Sequence, residues 1–580
     1  MRRFGVPCYG WQRGSHGIGE RPPWTAPDWA ISPTAIRGGE KSFVQLKSLH
    51  AALDGQHCRR LRHPICARQS SRLSGFFLMK TIAQLSLVFA CLFLQMITGC
   101  GGSAGSSRRS TSNGGTGTGT GTTAPLSLSN INLIFVVSED LAYQASGDVN
   151  PSTANLTNQG LQRSLLMAPF LQQQVLGTKN ATGIYVLQPM SHLQTANNYP
   201  DIVAPETVQQ FALLNQITLS TASSGYSNPY TANSYPINAS YASGFLPSGV
   251  AMPTQFCASC QGFDFNDQGG ANEALVRGMI QANVPGFYVF SAPWETTSSL
   301  LANINNLESY NLTLPTSYQG PNYIYVISIT PSGSARLANF NSNVNPASTY
   351  PALPQMPAST ACTSQMPFSI TVTGGSGGAV IPAGSNINET FYMIRHADAH
   401  PQGSWDDGNY VGAGQWRALD LPNALKGKIS PNQVYSIDPA QPITGTQSAS
   451  GYSTWSYVRP ALTVEPYAIA NNLPYNLAAN FGIFASNGPQ LASEFFFNGG
   501  KFSHQSILLA WEHNNIPLTV DALLSSYFPL GGAPTAPVWP SNDYDTIWTV
   551  ALDGSGNLTV NNSMCEGIQS TALPSAAPQF

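Results

Sequence analysis

Asn388-Glu389-Thr390-Phe391-Tyr392-Met393-Ile394-Arg395-His396-Ala397-Asp398-Ala399-His400 is the stretch on which the reading of this chain turns. Its apolar, aromatic-rich run, Phe391 to Ile394, stops abruptly at Arg395-His396. That pattern predicts a buried parallel strand that delivers two polar side chains at its carboxyl end. Such strand ends are where open α/β sheets bind ligands. Working outward, Gly412-Ala-Gly414-Gln-Trp-Arg417-Ala-Leu419 opens a helix, and Val434-Tyr435-Ser436-Ile437 reads as a second strand. Tyr457-Val458-Arg459-Pro460 follows it, and a third strand, Ser506 to Trp511, ends in Glu512-His513.

Four features, Arg-His-Ala after a first strand, Gly-x-x-Arg-Ala at a helix start, an Arg after a second strand and a His after a third, resemble the histidine phosphatase (phosphoglycerate mutase-like) superfamily. The resemblance spans about residues 388 to 560. It implies an α/β fold, here two tandem three-layer α/β/α domains with mainly parallel central sheets. It also implies hydrolysis of a phosphate monoester on a phosphorylated small molecule, with no metal and no other cofactor.

The chemistry accounts for the residue types. A phosphate ester is an anion that repels nucleophiles, and Arg offers a planar fork that grips two oxygens and stays charged. Arg395 and Arg459 suit that role. By the resemblance, His396 attacks phosphorus and carries the phosphoryl group, splitting one hard step into two. His513 then completes the phosphate pocket. The leaving alkoxide needs a proton, and Glu512 and Asp398 are the first-ranked donors, ahead of Asp406, Asp407 and Glu465. One branch of the family has an acid directly after the second His, where this chain has Asn514. Glu512 precedes His513 and would face away from it unless the strand has already ended. A phytase-like specificity is disfavoured, since the stretch Arg395-His396-Ala397-Asp398-Ala399-His400 lacks the further Arg that such enzymes place soon after the pair. His400 and His504 read as structural or surface residues.

The first half repeats the pattern. Leu133-Ile-Phe-Val-Val137 precedes Ser138-Glu139-Asp140; Gly160-Leu-Gln-Arg163 parallels Gly414-Gln-Trp-Arg417; Val203-Ala204-Pro205 parallels Val458-Arg459-Pro460; Trp294-Glu295-Thr296 parallels Trp511-Glu512-His513. The four phosphate residues become Ser138, Glu139, Ala204 and Thr296. An acid at the nucleophile position repels a phosphate dianion, so this copy is expected to be a degenerate one. The expected boundaries are 127–345 for the degenerate domain, 346–387 for a Pro/Gly/Ser-rich linker and 388–580 for the catalytic domain.

Composition fits an exported chain. Of 580 residues only 9% are charged while 42% are hydrophobic, against about 25% charged in average proteins, which disfavours nucleic-acid binding. Residues 1–78 hold 12 Lys+Arg against 4 Asp+Glu, so the remainder is net -11. They read as sequence upstream of a mis-called start codon or as a disordered arm. Residues 79–100 resemble a bacterial lipoprotein signal peptide: the apolar run Leu85 to Leu94 is half a bilayer long, and Ile97-Thr98-Gly99-Cys100 resembles a lipobox. Cys100 is then the lipidated residue, the membrane is a partner through that lipid, and residues 101–126 are a Gly/Ser/Thr tether in the cell envelope. A buried or membrane-spanning helix over 81–99 is the alternative. In an oxidising compartment Cys257 and Cys260 read as a structural staple, while Cys362 and Cys565 pair or stay free. The competing functional reading is a non-catalytic envelope lipoprotein that uses the fold for binding; a phosphomutase is a third.

Overall fold

The computed structural model describes residues 124–143, 147–187, 202–214, 270–362, 366–399, 408–439, 453–478 and 487–580, with short strands within 216–238 and 442–445. Cys100, Cys257, Cys260, His400, Asp406 and Asp407, and with them the signal-peptide and tether expectations, lie outside the described residues. No described helix is long and apolar enough to cross a membrane.

Two mixed sheets dominate. The first runs β5-β2-β6-β1-β7-β8, from β1 (Ile131–Val137), β2 (Gly183–Val186), β5 (Ile237–Asn238), β6 (Gly286–Ala292), β7 (Tyr323–Ile329) and β8 (Ala335–Asn341). The second runs β14-β11-β15-β10-β16-β17-β9. Its strands are β9 (Ser369–Val372), β10 (Glu389–Arg395), β11 (Gln433–Ile437), β14 (Tyr475–Ala478), β15 (Ser506–Trp511), β16 (Thr546–Leu552) and β17 (Leu558–Cys565). Two-stranded ribbons, β3 (Gln216–Leu219) with β4 (Tyr230–Asn233) and β12 (Pro442–Gly445) with β13 (Ser453–Ser456), stand apart.

The strand senses match across the two sheets. β1 is parallel to β6 and antiparallel to β7; β10 is parallel to β15 and antiparallel to β16. The expectation of mainly parallel sheets therefore holds only on one side of β1 and β10. On the other side each sheet continues in an antiparallel hairpin, because β7–β8 and β16–β17 are joined by turns too short for a crossover. The Asp553 carboxylate closes the second turn by accepting from the Ser555 and Asn557 amides at 2.8 and 2.9 Å. Within the expected linker 346–387, Ser369–Val372 form β9 and extend the sheet edge against β17. Cys362 and Cys565, 203 residues apart, are disulfide-bonded. Closing so long a loop removes denatured-state entropy worth about 5 kcal/mol.

Helices cover the strands through apolar faces. The described set is α1 (Asn158–Phe170), α2 (Val203–Leu214), α3 (Ala271–Ala282), α4 (Trp294–Leu307), α5 (Gly412–Ala424), α6 (Arg459–Asn471), α7 (Gly488–Phe497) and α8 (Asn515–Tyr527). Along β15, Ile507, Leu509 and Trp511 join one buried cluster with Phe496 of α7 and Val520 of α8, while Leu508 and Ala510 join another with Ala418 of α5 and Leu462 of α6. Side chains alternate across a strand, so burial on both faces is what makes these strands read as continuous apolar runs. Each such Leu or Ile contributes about 1.5–3 kcal/mol by leaving water. Ile202 and Leu213, from the first half, pack into the second of these clusters. Beside them the Gln209 and Asn409 side-chain amides exchange hydrogen bonds at 2.8 and 2.7 Å.

Candidate active site

Parallel pairing decides where the chemistry gathers. Arg395 lies opposite Trp511 in the β10–β15 register, and the His396 amide donates to the Trp511 carbonyl at 2.8 Å. The residues just past both strands, His396 on one and Glu512-His513 on the other, thus emerge at the same sheet edge. β15 ends at Trp511 and α8 begins at Asn515, so Glu512 and His513 sit in a connection and are freed from strand alternation. That removes the objection to Glu512: its carboxyl and the His513 ring both feel Arg395.

Arg459 arrives from α6, whose first turn carries Pro460 where the ring needs no amide donor. Its backbone amide donates to the Gly408 carbonyl at 2.9 Å and its Nε to the Asn409 carbonyl at 2.8 Å. Thr463, one turn on, accepts the Ala397 amide at 2.8 Å and donates to the Arg459 carbonyl at 2.8 Å, tying the end of β10 to α6.

His396 is 2% exposed. Its Nδ1 lies 2.8 Å from the Ala397 carbonyl oxygen. A carbonyl only accepts, so Nδ1 carries the proton and Nε2 keeps its lone pair. Burial first, then the positive charges of Arg459 and Arg395, hold its pKa well below the ordinary imidazole value, with the Ala397 hydrogen bond opposing. This lowering favours the neutral ring, which keeps a lone pair on Nε2.

Arg395, 5% exposed, donates through Nη1 to the carbonyls of Ser541 and Asp543 at 2.7 and 3.0 Å, while its buried Nε has no hydrogen-bond partner among the described residues. The Tyr544 ring covers the guanidinium at 3.7 Å. An unanswered N–H in a buried site is costly unless a ligand oxygen meets it.

His513 is pushed down to about 3 by burial and by Arg395. Its Nδ1 lies 3.2 Å from Glu512 Oε1, but a neutral imidazole makes this no ion pair. Burial raises the Glu512 carboxyl above its usual value, although Asn514 Nδ2, at 2.6 Å, and Arg395 pull the other way. A buried acid with a raised pKa can deliver a proton.

Asp398 lies elsewhere in the chemistry. Fully buried, its Oδ2 accepts from Arg417 Nε at 2.6 Å, and Arg417 also binds Glu566 and the Ile568 carbonyl. The Asp398 carboxylate is thus committed to Arg417 in a buried ion pair. Glu465, on α6, is buried against Glu206 of α2. His504 stands at the start of β15, the opposite sheet edge, with Nδ1 3.4 Å from Asn388 Nδ2.

The sequence reading passed over Tyr544 and the role of Tyr457. Tyr544 sits in the aperiodic stretch Ser541-Asn-Asp543-Tyr544-Asp545, where no strand or helix pattern marks it. The described residues contain no group of three or more His, Cys, Asp or Glu fit to hold a metal ion.

No protein-family model matches the chain, and no curated relative does. Among solved structures, it is similar to one assigned as the phosphohistidine phosphatase SixA of Agrobacterium tumefaciens, at 18% identity and TM-score 0.17, over 28% of this chain and 91% of that one. It is also similar to a mycobacterial glucosyl-3-phosphoglycerate phosphatase, at 13% identity and TM-score 0.19, over 31% of this chain and 99% of that one. A third is a mutant phosphoserine phosphatase from Entamoeba histolytica in complex with phosphoserine, at 14% identity and TM-score 0.16, over 30% of this chain and 97% of that one. Each likeness takes in less than a third of this chain.

Proposed function

We propose that this chain is an exported, lipid-anchored phosphatase that hydrolyses a phosphate monoester through a phosphohistidine on His396, and that its first half is a degenerate copy of the catalytic domain. One observation carries the catalytic part: a neutral His396 with its Nδ1 proton committed to a backbone carbonyl stands between two buried guanidiniums, one with an unanswered Nε. Arg395 and Arg459 take the phosphate oxygens. Nε2 of His396 attacks phosphorus as the ester P–O bond breaks, and Glu512 gives its proton to the leaving alkoxide. Water, deprotonated by the Glu512 carboxylate, then attacks the phosphohistidine, breaks the P–N bond and restores neutral His396. His513, also neutral, donates to the transferring group. Of the two first-ranked donors Glu512 is preferred, since Asp398 is committed to Arg417.

Export and anchoring rest on the sequence of residues 79–126 and gain support from the Cys362–Cys565 disulfide, a bond that persists in oxidising compartments. The matching strand order of the two sheets supports the duplication. The test is phosphate release by the purified chain from a panel of small monoesters at pH 4 to 8, beside His396→Ala and Glu139→Ala. His396→Ala is expected to abolish turnover, a loss of at least about a thousandfold, with Glu139→Ala unchanged. Equal activity in His396→Ala and wild type would refute the assignment. A wild type that binds vanadate yet releases nothing would move the balance to a binding lipoprotein.

A further inference from the structure

His396 is bracketed by two tyrosines, and each of them also faces one of the two phosphate-site arginines. Tyr544 meets the imidazole edge-on, ring centroids 6.0 Å apart, and lies 3.7 Å from Arg395 Cζ. Tyr457 meets it from another direction, centroids 6.1 Å apart at 85°, and lies 5.2 Å from Arg459 Cζ. Both tyrosines are buried, 7% and 1% exposed. The Tyr544 loop is itself braced: Trp539 Nε1 donates to the Asp543 carbonyl, and the Asp543 carboxylate accepts from Thr546 Oγ1 and the Asp545 and Thr546 amides.

We propose that Tyr457 and Tyr544 are the positioning residues of this site, an aromatic bracket that fixes the His396 ring and the two arginines beside it. For its kinetic consequences the proposal rests on the phosphatase reading. Two guanidiniums beside one buried imidazole repel each other and need a counter-field. An aromatic ring contributes to it by presenting its negative face to the guanidinium. The same rings pack at steep angles against the imidazole, restricting its rotation and keeping Nδ1 on the Ala397 carbonyl.

The experiment compares Tyr457→Phe, Tyr457→Leu, Tyr544→Phe and Tyr544→Leu in the full chain. Three quantities are read: kcat and KM for phosphate release, vanadate affinity, and the His396 tautomer by nitrogen NMR. The Phe variants keep ring face and edge, so they should stay within about twofold of wild type in all kinetics. Each Leu variant should lose about tenfold in vanadate affinity and show a mixture of His396 tautomers. Equal losses in Phe and Leu would assign the effect to the hydroxyls and overturn the proposal. So would a Leu variant that melts at the wild-type temperature and keeps both wild-type vanadate affinity and a single tautomer. If a Leu variant does not fold, Met at the same position fills the volume without a ring and carries the comparison. A wild type that neither binds vanadate nor cleaves any ester would refute the phosphatase reading, and the tautomer comparison would still decide the bracket on its own.

Discussion

At the carboxyl end of β1 stand Ser138, Glu139 and Asp140; at the carboxyl end of β10 stand Arg395, His396 and Ala397. The two ends sit in sheets of the same strand order, yet their charge is inverted. What surrounds them is alike. Gly160 and Gly414 each lie so close to a backbone carbonyl, that of Asp148 or Asp398, that a Cβ would collide with it. Three residues on, Arg163 Nε reaches Asp148 Oδ2 at 2.6 Å, and Arg417 Nε reaches Asp398 Oδ2 at 2.6 Å. The half that lacks the Arg-His pair keeps this ion pair. The Gly-x-x-Arg element is therefore framework, pinning a helix start to the strand end, and under the proposed function the ligand chemistry falls to the residues that differ.

The comparison breaks most readily at the arginines. Arg417→Met strands two fully buried carboxylates, Asp398 and Glu566, and should cost about 3–5 kcal/mol in urea unfolding. Arg163→Met should cost less, roughly 1–3 kcal/mol, because Arg163 retains some exposure and Gln159 still donates to Asp148. Equal costs would mean the two frameworks are not matched in the way described. A smaller effect sharpens the functional contrast. Glu512→Gln should lower kcat about a hundredfold and flatten the alkaline limb of the pH profile, since a general acid with a raised pKa stops working as pH climbs through it. Its counterpart Glu295→Gln should leave turnover unchanged.

The smallest effect concerns where the halves meet. Burial pushes the Glu206 carboxyl from 4.5 up to about 7, against a lowering hydrogen bond to Glu465. The folded chain then holds a proton that the unfolded chain has released, so this pair stabilises most at low pH. Its contribution falls as pH rises from about 4.5 to about 7 and is flat beyond. Glu206→Gln should remove that slope from melting temperature against pH; an unchanged slope would place its source elsewhere.

Much of the site was legible because apolar runs ending in polar residues mark strand ends in the sequence itself. Arg395-His396 and Glu512-His513 were visible on that ground alone. Asp398 misled for the same local reason: an acid two residues past His396 looks catalytic until Arg417, 19 residues on, is seen to hold it. The disulfide partners, 203 residues apart, and the β9 edge inside a Pro-rich stretch left no local trace.

Sequence alone determined the two sets of buried strands, their polar endings and the absence of the Arg-His pair from the first set, since each depends on residue type and short-range period. Only the tertiary structure decided which acid is held by an arginine, which arginine is framework and which rings pack against His396. Those roles depend on burial and on partners brought in from distant segments, and a charged group's behaviour is set by what surrounds it in space, not by its neighbours along the chain.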